Sequence, residues 1–371
     1  MRVVVISHTY VVGVNRSKLE ALVQHRDIEF LVVVPKRWIN RDIGQSLRFE
    51  RLDSSNLPIV SLPIWFAGYG SLVLYSPAAL LRVLREFQPE LIYLEEEPWS
   101  LAALELCLIS RLLGARLVFF TWENLSRSLL LPFRLIRRLV LRQTHGAVAG
   151  NQEARRLLER QGFRGSIAVI PQLGVDPSLF SPGQGAEPKG GFVIGYVGRL
   201  VPQKGVLLLL EAAARLPQAS VLLVGSGPLK PAILSRAASL GLDGRLELRE
   251  GVRHHEVPRH LRRMSVLVLP SLTTRTWKEQ FGHVLIEAMA CCVPVIGSDS
   301  GAIPEVIGNA GLVVKEGDVE ALTSALDKLM SNPVLRQELG ARGHSRVLAE
   351  YTNSTLAQRV TTFWRTLVRD G

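Results

Sequence analysis

Two doubly wound α/β domains, each on a mainly parallel sheet, are the fold class this sequence predicts, and three observations predict it. The chain has 371 residues, more than one ordinary hydrophobic core accommodates. Short apolar runs alternate with longer helical stretches, the pattern of parallel strands joined by helical crossovers. A Pro- and Gly-rich stretch from Pro171 to Pro188 divides the chain near its middle and reads as an interdomain linker. Apolar residues make up 47% and charged residues 21%, which leaves ample material for burial and excludes a disordered chain.

Taken in order, Val3–Ile6, Glu29–Val34, Leu91–Leu94, Arg116–Phe120 and Gly146–Ala149 read as the first series of strands. Pro77–Phe87 and Ser100–Leu113 are helical stretches between them, and Arg164–Ile170 adds one more strand. A second series opens at Phe192–Tyr196 and continues through Val221–Val224, Leu246–Leu248, Val266–Leu269 and Val293–Ile296. Runs apolar on both faces suit strands covered by helices on each side. Val319–Met330, Pro333–Glu350 and Ser354–Val368 have amphipathic helical spacing. Two such domains facing one another leave a cleft at the carboxyl ends of their strands, so chemistry is expected at strand-to-loop junctions.

Several classes are excluded by what the chain lacks. No apolar run has the length of a membrane span or the form of a secretory leader. Cys107, Cys291 and Cys292 have neither metal-ligand spacing nor a disulfide framework, so a reduced cytoplasmic setting fits. Lys and Arg number 44 against 33 acids, a net charge of +11, which suits nucleic acid, an anionic membrane or a phosphorylated ligand. The excess is concentrated: between Arg127 and Arg164 stand nine arginines and two acids.

The chemistry-bearing stretches sit at junctions. Gly198-Arg199-Leu-Val-Pro-Gln-Lys204-Gly205 follows the Phe192 strand and precedes a leucine-rich helix; Arg199 and Lys204 there can hold phosphate, one as a fork and one as a movable point charge. Further on, Glu279-Gln-Phe-Gly-His-Val-Leu-Ile-Glu287 predicts a helix starting near Gly282. Backbone N–H groups at Phe281, Gly282, His283 and Val284 would form its positive end, a ready anion site. Glu279 and Glu287 beside that end suit hydroxyl recognition, against the plainer reading of solvated helix-start acids.

These segments, with Leu222-Leu-Val-Gly-Ser-Gly-Pro228 and Gly301-Ala-Ile-Pro-Glu305, resemble family 4 of the retaining glycosyltransferases, most strongly from about residue 192 to 350. The resemblance implies the GT-B fold, two Rossmann-like domains facing across a cleft: an acceptor-binding domain over 1–180, a nucleotide-sugar domain over 181–350, and a C-terminal helix over 351–371 packing back toward the first. It implies sugar transfer from a nucleotide-diphosphate sugar, with retention, to a glycan, lipid-linked or small-molecule hydroxyl, and no metal. Arg199, Lys204 and Glu279 become the catalytic set: the two cations hold the diphosphate while Glu279 holds sugar hydroxyls. Glu287 takes the ribose, the segment around Val252 the base, and Gly198 with Phe281–Val284 the phosphates.

The first half departs from that family's pattern. Its opening loop keeps one glycine, Gly13, which either admits the donor phosphate or makes a plain turn. Glu123 stands where the family has a histidine over the sugar, and a structural role for it is equally open. Glu95, Glu96 and Glu97 read as a solvated charge run or as acceptor-orienting acids. His8, His145, His254 and His255 read as structural or solvated. Arginines 127 to 142 interleave with leucines, as a basic amphipathic helix does, on an anionic membrane face or simply on its own domain. Rival readings are a nicotinamide dehydrogenase, which lacks its Gly-x-Gly-x-x-Gly here, a nucleic-acid binder, which lacks aromatics among the arginines, and a sugar-phosphate synthase or phosphorylase on the same fold. Nucleic acid is therefore not an expected partner.

Overall fold

The computed structural model describes residues 1–40, 45–49, 57–183 and 191–369. The chain forms two compact units, Met1–Leu173 with Leu356–Gly371, and Gly174–Thr355. In the first, seven parallel strands run in the order Ser166–Val169, Gly146–Ala149, Arg116–Thr121, Leu91–Leu94, Arg2–Ile6, Glu29–Pro35, Ile59–Leu62. In the second, six parallel strands run Leu246–Arg249, Ala219–Val224, Phe192–Val197, Val266–Leu269, Val295–Ser298, Gly311–Val314. Each sheet begins in its middle, grows to one side for three strands, then returns to the other side of the first strand. The reversal leaves a switch point between the first and fourth strands, where the loops at the carboxyl ends diverge and a crevice opens.

The strands form where both faces are apolar and β-branched: Val3, Val4, Val5 and Ile6 are all buried. Several helices begin where a side chain satisfies a free N–H. Ser100 Oγ accepts from Ala103 N at 3.1 Å, Asn151 Oδ1 from Ala154 N at 2.8 Å and Asp318 Oδ1 from Ala321 N at 2.8 Å. The last helix, Asn353–Arg369, puts Trp364 fully inside the first unit's core, with ring centroids 5.0 Å from Tyr93 and 6.1 Å from Phe30. Arg365 grips Asp27 through two bonds of 2.9 Å, and Arg359 donates to Val169 O at 2.7 Å.

Two strands of the parallel sheets escape the sequence pattern, as do the small antiparallel pairs Arg37–Asn40 with Gln45–Arg48 and Ile64–Trp65 with Leu74–Tyr75. Ile59–Leu62 lies between Pro58 and Pro63 and is half-buried at a sheet edge, and Gly311–Val314 is another four-residue edge strand; neither shows a long apolar run. Of the Pro171–Pro188 stretch, residues 184–188 lie outside the described residues. Its earlier part is tied down: Val175 bridges to Thr352, Gly174 N donates to Asn353 Oδ1 at 3.0 Å, and Phe180 is buried. Among the described residues no helix is long and apolar enough to cross a membrane.

Candidate functional site

In the second unit, strands Phe192–Val197 and Val266–Leu269 pair directly, so the loops leaving their carboxyl ends emerge together. The first loop is fixed by the glycine loop beside it: Gly198 N donates to Val224 O at 2.9 Å, Leu200 N to Ser226 O at 2.9 Å and Leu229 N to Leu200 O at 3.0 Å. It closes at Gly205, whose φ of 68° and close approach to Pro270, 1.9 Å from a Cβ to the carbonyl oxygen, admit no side chain. Pro202–Lys204 is thereby seated as a single turn against the second loop.

From that turn Lys204 Nζ reaches Glu279 Oε2 at 2.6 Å and stands 4.9 Å over the Trp277 ring. Glu279 is 6% exposed, and the same oxygen accepts from Ser271 Oγ at 2.7 Å. Its backbone is fixed by Ala302 N, which donates to Glu279 O at 3.1 Å. Gly301, at φ 57°, lets that segment pass, since a Cβ there would stand 1.9 Å from Glu279 O. Arg199 is exposed, and its carbonyl accepts from the Tyr196 hydroxyl at 2.7 Å. Burial pushes the Tyr196 phenol well up, the Glu279 charge pushes it further, and the Arg199 charge pulls it back. The Tyr196 hydroxyl thus ties the Arg199 backbone to the strand from whose loop Lys204 reaches Glu279.

Helix His283–Ala290 starts from Gly282, as the sequence predicts. Its first turn is anchored rather than solvated: Phe281, Gly282 and Val284 are buried, and the Phe281 ring packs 5.3 Å from His283 and 5.7 Å from Tyr351. One turn in, Glu287 Oε1 meets His254 Nε2 at 3.0 Å. That hydrogen bond and the Glu287 charge raise the His254 imidazole above its ordinary value, with burial opposing. His254 follows Gly251-Val252 on the loop after strand Leu246–Arg249, so the half-buried Val252 belongs to the loop that meets Glu287 through His254. The structure thus gathers Gly198, Arg199, Lys204, Glu279, Phe281–Val284, Glu287 and Val252 at the carboxyl edge of one parallel sheet.

Gly13 and Glu123 belong to the first unit. Gly13 is exposed and opens a short turn, Gly13–Arg16. Glu123 is 6% exposed and stands 4.0 Å from Arg127; burial pushes its carboxyl up while the Arg137 and Arg127 charges pull it down. The solvated reading of Glu95–Glu97 is wrong. Glu95 accepts from the Tyr10 hydroxyl at 3.0 Å and Gln172 Nε2 at 3.0 Å and lies 3.7 Å from Lys18 Nζ, which itself donates to Gln172 O at 2.5 Å. Glu96 pairs with His8 Nδ1 at 2.5 Å. Glu97 accepts from the Thr121 hydroxyl and from Trp122 N at 3.0 Å; burial pushes its carboxyl up to about 7. The sequence separates these partners widely, and the pairing of Arg2–Ile6 with Leu91–Leu94 brings them together.

Sequence reasoning missed His254, Ser271, Trp277 and Tyr196 as members of the second unit's site. His254 was within reach of the junction rule, being on the loop that leaves a strand's carboxyl end. Tyr196 lies inside an apolar strand and carries no such signal.

Residues 180–346 match the family model of glycosyl transferases group 1. The chain is 30% identical over 218 residues to the GDP-mannose-dependent alpha-(1-6)-phosphatidylinositol monomannoside mannosyltransferase of Mycolicibacterium smegmatis, covering 53% of this chain and 56% of that protein. It is 32% identical over 213 residues to the alpha-maltose-1-phosphate synthase of the same organism, covering 53% and 51%. The chain therefore spans little more than half the length of these relatives. Among solved structures it is similar to Anabaena Alr3699/HepE in complex with UDP, with TM-score 0.76 and 18% identity over 98% of this chain and 99% of that one. It is also similar to a glycosyltransferase from Rickettsia africae, with TM-score 0.79 and 15% identity over 100% and 99%. At these identities the likeness establishes the fold, two parallel α/β domains of GT-B type.

Proposed function

Residues 180–346 match the family model of glycosyl transferases group 1, and from that premise we propose that the chain transfers a sugar, with retention, from a nucleoside diphosphate sugar to a hydroxyl of a lipid-linked or glycan acceptor. The observation that carries this reading is the Lys204–Glu279 contact of 2.6 Å at the switch point, with Arg199 beside it. An ammonium and a guanidinium at the mouth of a parallel sheet suit a diphosphate, and the amino end of helix His283–Ala290 adds backbone donors. Glu279 then accepts from hydroxyls of the transferred sugar, Glu287 from the ribose, and the backbone around Val252 borders the base.

Departure of the nucleoside diphosphate leaves positive charge on the anomeric carbon and builds negative charge on the phosphate. Arg199 and Lys204, held in place beforehand, stabilise that charge as it forms. With two cations neutralising the diphosphate, the reaction runs without a divalent metal, and chelation by EDTA leaves the rate unchanged. The phosphatidylinositol monomannoside in the name of the mannosyltransferase relative supports a lipid-linked acceptor, and with it a membrane-peripheral setting on the cytoplasmic side is our reading. Gly13 in the first unit stays assigned to the donor phosphate and Glu123, among its arginines, to the acceptor side. The synthase relative supports a second reading, a soluble sugar-phosphate product.

Calorimetric titration with UDP, GDP, ADP and TDP tests the donor site. Glu279→Gln is expected to abolish transfer with nucleotide affinity kept, and Glu287→Ala to weaken nucleotide binding roughly tenfold, about 1.4 kcal/mol. Silence toward all of these nucleotides overturns the reading. Lipid-linked and phosphosugar acceptors, offered side by side, separate it from the synthase.

A further inference from the structure

One concave feature of the first unit lies away from both switch points. A cavity of about 1020 Å³ runs along helix Leu131–Gln143 and the turn at Gln161–Gly165. Five arginines line it, Arg134, Arg137, Arg138, Arg142 and Arg164, and its lining contains no acid among the described residues. Arg134, Arg138 and Arg142 recur every fourth residue on one helix face, where like charges repel rather than stabilise. Arg134 donates to Leu129 O at 3.2 Å, and the Arg137 charge acts on buried Glu123.

The same wall carries exposed apolar groups. Leu130 is 73%, Leu131 63% and Leu135 57% exposed, all at the helix's amino end. The other side of the helix is used by the domain: Val140 is buried, and Phe133 packs edge-on to Trp99 at 6.5 Å, while the buried Leu141 forms part of the groove floor. The helix is thus committed on one face and offers leucines followed by arginines on the other. Topology fixes which end is which. The leucines follow strand Arg116–Thr121, at the carboxyl edge of the sheet, while Arg142 and Arg164 precede strands Gly146–Ala149 and Ser166–Val169, at its amino edge.

We propose that this face docks on an anionic bilayer, with phospholipid head-group phosphates entering the arginine groove and Leu130, Leu131 and Leu135 entering the interface. Arginines match phosphate in a fork. A soluble phosphate ligand gives no reason for three exposed leucines on the same wall, whereas an interfacial surface needs both. A nucleic acid surface would pair such arginines with stacking aromatics, and this lining has none. The surface rests on its own residues and not on the donor site.

The test is co-sedimentation of the intact chain with vesicles of pure phosphatidylcholine and of phosphatidylcholine with one-third phosphatidylglycerol. Wild-type protein is expected to bind the anionic vesicles at least roughly tenfold more tightly, with binding lost at high salt. The Arg138→Gln, Arg142→Gln, Arg164→Gln triple variant should lose that preference while keeping its nucleoside diphosphate affinity, which shows it folded. Leu131→Ser with Leu135→Ser should weaken binding in a salt-insensitive way. Equal binding to both vesicles, an unaffected triple variant, full competition by millimolar inorganic phosphate, or tighter binding to an RNA oligonucleotide would each overturn the proposal. A wild-type chain that binds vesicles but no nucleotide would sink the donor reading and leave this one standing.

Discussion

Both sheets reverse direction at one place, and each reversal holds a lysine–glutamate pair, yet the two pairs live in different surroundings. Lys18 and Glu95 in the first unit have side chains 1% and 0% exposed, 3.7 Å apart, with the remaining bonding capacity spent on Tyr10 and Gln172. Burial lowers the Lys18 ammonium, which the Glu95 charge partly restores. In the second unit Lys204 and Glu279 are 15% and 7% exposed at 2.6 Å, with Arg199 exposed beside them. One topology therefore produces a crevice sealed by its own side chains and a crevice left open to a ligand. A charged pair at a switch point signals a site when its cation still reaches solvent; a pair wrapped in further hydrogen bonds signals architecture.

Breaking that contrast is straightforward. Lys204→Met should lower kcat/KM by roughly 10²–10³, about 3–4 kcal/mol of transition-state stabilisation, with a smaller loss of stability than at the sealed pair because Glu279 keeps the Ser271 hydroxyl and a path to solvent. Lys18→Met should do the reverse. It leaves Glu95 buried beside no cation and costs about 3 kcal/mol of stability, read in urea denaturation, while nucleotide affinity in the folded protein stays the same. If Lys18→Met instead spared stability and removed activity, the sealed crevice would be a second site.

The smallest effect sharpens the comparison through histidine. His254 is raised above the usual 6.5 by Glu287, so below that value it is charged and holds the carboxylate. That contribution to the fold is complete below the unfolded pKa and is lost as pH rises through the raised one. Freed from the charged imidazole, Glu287 takes the ribose more readily, so nucleoside diphosphate affinity should rise roughly threefold, about 0.6 kcal/mol, as His254 loses its proton. Titrations across pH 6 to 9 check this, and His254→Asn should flatten the dependence. His8, held by Glu96 in the sealed crevice, is also raised, against burial, and His8→Asn should leave nucleotide binding alone.

Legibility in the sequence followed the reach of local signals. The placement of Arg199, Lys204 and Glu279 was readable because each lies on a loop leaving the carboxyl end of an apolar strand, and strand ends in a parallel sheet share one edge. The start of helix His283–Ala290 was readable from Gly282. Glu95–Glu97 misled because an uninterrupted acid triplet resembles a solvated run, while Lys18, Tyr10, His8 and Thr121 arrive only through strand pairing. His254 misled because one histidine in a loop has no spacing to interpret. Ile59–Leu62 and Gly311–Val314 are edge strands too short to print a period.

Trp364 has a further consequence. The core around Tyr93 and Phe30 is completed by a helix at the far end of the chain, so the second unit is an insertion within the first. On the ribosome, Gly174–Thr355 emerges whole and can settle while the earlier-made domain still waits for its final helix. A nascent chain stalled short of residue 356 should therefore present one protease-resistant fragment, drawn from the later half.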